Sequence, residues 1–123
     1  MYKEKKLLNL LTKNNCIHYQ NDDNIQLSSG ISSNVYYDIK KAAGFPDLFE
    51  FIIEQLQNII PKNSSIVAVS TGGIPYGAAL ANIYKTNFAY VRENKKKYGM
   101  ENLIEGYIDY KKPIYIIDDV CTS

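Results

Sequence analysis

Two apolar runs of strand length constrain this chain more than any other feature. SIVAVS (65–70) and PIYIID (113–118) lack the polar alternation of a sheet with one wet face, so both are expected to be buried strands. Between them GAALANIYK (77–85) has the composition of a helix, FAYVR (88–92) that of a strand, and LIEGYI (103–108) is expected to be extended. Strand, loop, helix and strand in alternation predict an α/β fold: an open, mostly parallel sheet with flanking helices. In such sheets ligands lie beyond the carboxyl ends of the strands. Chemistry is therefore expected in the loops 71–76, 93–102 and from 118 onward.

The first part of the chain has a different rhythm. Residues 3–13 place Leu7, Leu8, Leu10 and Leu11 along one side of a short amphipathic helix. The polar stretch that follows, to about residue 40, predicts two short extended pieces around a turn at Ser29 and Gly30. FPDLFEFIIEQLQNIIP is a helix: Pro46 suits its first position, Asp47 and Glu50 its first turn, and Pro61 stops it. Leu48, Phe49, Ile52, Leu56, Ile59 and Ile60 are its expected buried face. The organisation expected is one domain over 1–123, with an N-terminal segment 1–44 leading into a core 45–123.

Composition narrows the function classes. A chain of 123 residues can bury one modest core, and 46% hydrophobic with 22% charged residues describes a folded soluble domain. A net charge of +1 excludes a globally basic nucleic-acid binder, so any anion site must be local. No apolar run reaches the length of a membrane span, and the N-terminus returns to polar residues too soon for a signal peptide. Cys16 and Cys121 have no zinc or redox spacing, which fits a reduced, cytoplasmic setting.

Three segments carry candidate chemistry. STGGIPYG sets two glycines between a strand and a helix, where positive φ and bare backbone let N–H groups approach an anion. It is neither a P-loop nor a G-x-G-x-x-G, and a tight turn would use the same glycines. RENKKKYGMENLIEG offers Arg92, Lys95, Lys96 and Lys97 between two strands, either to neutralise a phosphate-rich substrate or as a solvated loop. IIDDVCTS delivers Asp118 and Asp119 to the carboxyl end of what is expected to be a central strand. Adjacent carboxylates repel unless a diol, a metal ion or helix N–H groups share them, or one of them simply caps a helix. His18 has no partner spacing, and neither Ser29 nor Ser32 sits in a nucleophile elbow.

Together these segments resemble the type I phosphoribosyltransferases, a Rossmann-like family, and within them the orotate phosphoribosyltransferases. IYIIDDVCTS is similar to the family's signature for 5-phosphoribosyl 1-pyrophosphate, while LSSGISSNVYYDIKKA (27–42) and AYVRENKKKYGMENLIEG (89–106) resemble orotate-specific segments. The resemblance implies formation of orotidine 5′-monophosphate and pyrophosphate in pyrimidine synthesis, with Mg2+ bridging donor oxygens, in a homodimer without nucleic-acid or membrane partners. It implies that Asp118 and Asp119 hold the ribose hydroxyls, and that Thr122 and Ser123 begin the 5′-phosphate cradle. Thr71, Gly72 and Gly73 would meet pyrophosphate through backbone amides. Arg92, Lys96 and Tyr98 match a mobile catalytic loop that closes over a neighbouring subunit's site. Ser29, Gly30, Tyr36 and Tyr37 would approach orotate.

The sequence departs from the family pattern in three places. Ser28 stands where relatives often carry lysine, and Glu93 where many carry a basic residue; both bear on affinity. The family's chain also continues through a phosphate loop, a helix and a further strand, so the domain is expected to be incomplete at the C-terminus. The alternative expectations are a non-catalytic remnant that binds ligand weakly or pairs with a full-length relative, and a phosphoribosyltransferase for another base.

Overall fold

The leucines of the N-terminal segment wind into helix α1, Tyr2–Lys13, of which Leu11 is buried and Leu8 exposed. The computed structural model describes residues 1–21, 25–27, 29–95 and 97–122. It divides into two units, Met1–Phe51 together with the residues after Asp119, and Ile52–Asp119.

In the first unit, α1 is followed by four short strands instead of the two pieces expected. They are β1 (Ile17–Tyr19), β2 (Ile25–Gln26), β3 (Ser32–Ser33) and β4 (Val35–Tyr37). β1 pairs antiparallel with β4, and β2 with β3, so one ladder follows the other back along the chain. Gly30, at φ +82°, sits in the turn between β2 and β3, where its amide donates to the Leu27 carbonyl at 2.9 Å. This left-handed position is one that glycine takes without steric cost. Strands this short have too few side chains to show a period in the sequence. Asp38 then caps helix α2 (Ile39–Ala42) by accepting from the Lys41 amide at 3.0 Å. Cys16 is fully buried, and burial pushes its thiol above the ordinary value.

Helix α3, Pro46–Ile59, runs from the first unit into the second. Its buried positions include Leu48, Phe51, Ile53 and, just beyond its end, Ile60. Ile59 was expected to be buried but is 71% exposed, because the buried stripe reaches Ile60 and Ile59 lies a quarter-turn off it.

The second unit is built on a sheet of β5 (Ser65–Val69), β6 (Phe88–Val91), β7 (Ile104–Gly106) and β8 (Ile114–Ile117), with helix α4 (Ile74–Tyr84) between β5 and β6. The spatial order is β7-β6-β5-β8. β5 runs parallel to both β6 and β8, and β7 is antiparallel to β6, so the sheet is open and mostly parallel as expected. β5 is the buried strand its composition predicts, with Ile66, Val67 and Ala68 at the core. β8 corrects the expectation of a central, buried strand: it is the edge of the described sheet, and Ile116 is 70% exposed while Ile117 is 5% exposed. Helix α4 begins three residues earlier than expected, with Pro75 in its first turn, where a missing N–H costs nothing. A Cβ on Gly77 would lie 3.0 Å from the Phe88 ring and 3.1 Å from Ala68, so this glycine lets the helix lie close on β5 and β6. Among the described residues no helix is long and apolar enough to cross a membrane.

Polar groups at the amino end of the sheet are satisfied internally. The Ser65 hydroxyl donates to the Asp109 carbonyl and accepts from the Asp109 amide, both at 3.0 Å, and Thr86 donates to the Ser64 carbonyl at 2.7 Å. The Tyr84 hydroxyl bonds to the Ile60 carbonyl at 2.6 Å and the Gln57 carbonyl at 3.2 Å. Burial raises the Tyr84 pKa above its ordinary 10.0, since the charged phenolate is disfavoured there. Its contribution to stability is therefore present below pH 10 and lost as pH climbs through the raised value. Tyr84→Phe should cost about 1–2 kcal/mol at neutral pH, in line with a lost buried hydrogen bond. The gap between wild type and variant in urea unfolding should narrow above pH 10. A constant gap across that range would show that the hydroxyl contributes nothing as a donor.

Candidate active site

The parallel strands β5, β6 and β8 end on the same edge of the sheet, and three segments leave from it: 70–73, 92–103 and 118–119. The first is a turn packed on the last. Gly73 has φ −77° and Gly72 is not among the positive-φ residues, so neither glycine serves the left-handed conformation expected of it. Space is the reason instead. A Cβ on Gly73 would overlap the Ile117 carbonyl and lie 3.0 Å from the Val69 carbonyl, and one on Gly72 would overlap the Asp119 carboxylate. The Ser70–Thr71 peptide is cis.

Hydrogen bonding divides the turn. The Gly73 amide donates to the Val69 carbonyl at 3.0 Å and the Ile74 amide to the Thr71 carbonyl at 3.2 Å. Gly73 is thus committed to closing the turn and does not present its amide, contrary to the expectation that all three residues would. The amides of Thr71 and Gly72 have no backbone acceptor among the described residues. At the end of β8, the Asp118 carboxylate accepts from the Asp119 amide at 2.8 Å, which offsets part of the repulsion between the two acids. Asp118 is exposed and Asp119 half-buried.

A cleft of about 530 Å³ opens beside this turn, lined by Ser70, Thr71, Ile74, Tyr90, Arg92, Glu93, Asn94, Lys95 and Lys97. Arg92 lines it and is anchored by its own backbone, whose amide donates to the Leu103 carbonyl at 2.8 Å. Its side-chain Nε is buried without a hydrogen-bond partner among the described residues. A buried charged donor of this kind is costly unless something fills it, and an anion in the cleft is the natural acceptor. Lys95 and Lys97 add charge to the same wall.

The predicted residues therefore fall into groups. Thr71 and Arg92 line the cleft, while Gly72, Gly73, Asp118 and Asp119 form the packed turn beside it. Tyr98 is 81% exposed and does not line the cleft. Ser29 and Gly30 belong to the β2–β3 turn, and Tyr36 and Tyr37 to β4, all in the first unit. As strand neighbours Tyr36 and Tyr37 face opposite sides of their ladder, and Tyr36 stacks on His18 with centroids 6.1 Å apart. Thr122 is exposed. Lys96 and Ser123 lie outside the described residues. Ser70, Ile74 and Tyr90 were not foreseen, although the strand period that places Tyr90 and Arg92 on one face was available in the sequence. Among the described residues no group of three or more His, Cys, Asp or Glu side chains could hold a metal ion.

No family model matches the chain. It is 33% identical over 124 residues to the orotate phosphoribosyltransferase of Methanocaldococcus jannaschii, covering 100% of this chain and 69% of that one. It is 39% identical over 100 residues to the orotate phosphoribosyltransferase of Pyrobaculum islandicum, covering 80% of this chain and 52% of the relative. Among solved structures, that of orotate phosphoribosyltransferase from Aeropyrum pernix is similar with a TM-score of 0.61 and 28% identity, over 70% of this chain and 52% of that one. The chain spans about half the length of the Pyrobaculum and Sulfolobus relatives it matches, at 52% and 51%.

The two glycines should respond differently to a methyl group. Gly73→Ala meets backbone that cannot turn away and should lose about 1–3 kcal/mol of stability. Gly72→Ala meets a side chain and should cost less. In an Asp119→Ala background the cost of Gly72→Ala should largely vanish, while that of Gly73→Ala persists, as a double-mutant cycle in urea would measure. Equal costs in both backgrounds would mean that the turn does not pack on the end of β8 as described.

Proposed function

Because the chain belongs to the orotate phosphoribosyltransferase family, we propose that it serves the transfer of a phosphoribosyl group from 5-phosphoribosyl 1-pyrophosphate to orotate, within cytoplasmic pyrimidine synthesis. The observation that carries the proposal is the cleft beside the glycine turn, lined by Thr71 and by Arg92, whose buried Nε has no hydrogen-bond partner among the described residues. Such a site suits the leaving pyrophosphate. In the reaction a ring nitrogen of orotate forms a bond to C1 of the ribose as the bond from C1 to pyrophosphate breaks. Positive charge develops on the sugar and negative charge on the leaving group. Donors and cations held in place before the reaction stabilise that separation, and no protein nucleophile is required.

The residues divide accordingly. Arg92, with Lys95, Lys97 and Lys96, neutralises the leaving group, and the amides of Thr71 and Gly72 donate to its oxygens. Asp118 and Asp119 accept from the ribose hydroxyls, and Thr122 and Ser123 begin the 5′-phosphate cradle. Ser29, Gly30, Tyr36 and Tyr37 are assigned to orotate by the resemblance alone. Tyr98, exposed in the segment that follows the lysines, is available to the site of a second copy in a homodimer.

Magnesium fits as an ion carried in by the donor. It binds through phosphate oxygens, waters and one or two carboxylates instead of an all-protein cage, and no such cage exists among the described residues. When bound it supplies charge neutralisation at the pyrophosphate oxygens.

Calorimetric competition in the presence of magnesium and a donor analogue tests base choice. Orotate should bind in preference to uracil, hypoxanthine and adenine, and a purine binding equally well would overturn the assignment. Arg92→Ala should weaken pyrophosphate binding by roughly 10- to 100-fold, the loss of one charge-assisted contact. Arg92→Lys should recover only part of it, because the planar fork is absent. An unchanged affinity in Arg92→Ala would remove the guanidinium from the anion site.

A further inference from the structure

Glu93 lies in the wall of the cleft, between Arg92 and the lysines, and is the one carboxylate among its described lining residues. No described lysine or arginine forms an ion pair with it. An unpaired carboxylate there opposes entry of a bare polyanion while attracting any cation that the anion carries. We propose that Glu93 is a specificity residue that shifts the cleft's relative affinity away from the metal-free diphosphate and toward its magnesium complex. This inference rests on the diphosphate role proposed above for the cleft.

The physical basis is a difference in charge. Complexation by a divalent cation removes most of the negative charge that Glu93 repels and places a positive centre on the ligand. Arg92, Lys95 and Lys97 alone would rank ligands by total negative charge and hold the bare anion more tightly. With Glu93 among the lining residues the described lining keeps a smaller net positive charge, and that ranking is flattened. Glu93 is exposed, so its substitution separates this effect from folding.

The test is calorimetric titration of the whole chain with sodium pyrophosphate, with and without magnesium chloride at constant ionic strength, for wild type, Glu93→Gln and Glu93→Lys. Glu93→Gln should bind metal-free pyrophosphate about three- to tenfold more tightly, with no gain for the magnesium complex. The ratio of the two affinities should therefore fall, and fall further in Glu93→Lys. Equal gains for both forms, or an unchanged ratio, would overturn the proposal while leaving the cleft a diphosphate site. Wild type that binds neither form would overturn the diphosphate role itself and this inference with it. Thermal unfolding of each variant, expected to match wild type, excludes a folding defect as the source of any change.

Discussion

The contact between the glycine turn after β5 and the carboxyl end of β8 is the constraint on which the rest of the site depends. β5 and β8 are parallel neighbours, with Ala68 opposite Ile117, so both chains leave the sheet at the same edge with only a strand spacing between them. The chain leaving β5 must pass over the end of β8 to start α4. It does so with Gly73 against the Ile117 carbonyl and Gly72 against the Asp119 carboxylate, positions without room for a methyl group. Any larger side chain would separate the turn from the strand and carry the acidic residues away from Thr71 and Gly72. Local packing and the arrangement of the site are thus the same contact.

Much of this was legible in the sequence because it rests on strong periodicity and punctuation. Helix α3 announced itself through Pro46 and Pro61, and β5 through an unbroken apolar run. The family was legible too, since the acidic strand end, the glycine turn and the lysine loop occur in order. Other features were hidden for identifiable reasons. Composition showed that β8 tolerates burial but not where in the sheet it lies, and so it was expected at the centre and stands at the edge of the described sheet. Glycine has two uses, and the sequence does not distinguish freedom in φ from lack of a Cβ; here Gly72 and Gly73 serve the second and Gly30 the first. The four strands of the first unit are two or three residues long, below the length at which alternation can be recognised.

The cleft shows why a run of charges is poorly read from sequence alone. A lysine-rich loop is ordinarily a solvated surface, and nothing in its composition distinguishes a working cation from an idle one. Arg92 is distinguished by its surroundings. Its backbone closes onto Leu103, its Nε is removed from water, and no protein acceptor compensates among the described residues. Lys95 and Lys97 share the cleft but remain exposed, where water screens their charge. Equal formal charges therefore differ in what they can contribute to binding an anion, and strand anchoring decides which one is held in place.

The paired aspartates follow the same logic of unequal partners. Two adjacent carboxylates acting identically would repel each other and hold a ligand loosely. Here Asp118 accepts from the amide of Asp119, which orients the backbone of its neighbour, and Asp119 is held half-buried against Gly72. In the proposed reaction the ribose hydroxyls and the pyrophosphate belong to one small donor molecule, so the groups that receive them must lie within a few bonds' reach of each other. A carboxylate packed on the same turn that offers the Thr71 and Gly72 amides meets that requirement without any long-range positioning. In that proposed reaction the acid pair and the glycine pair act as one device, because the same packing contact holds both.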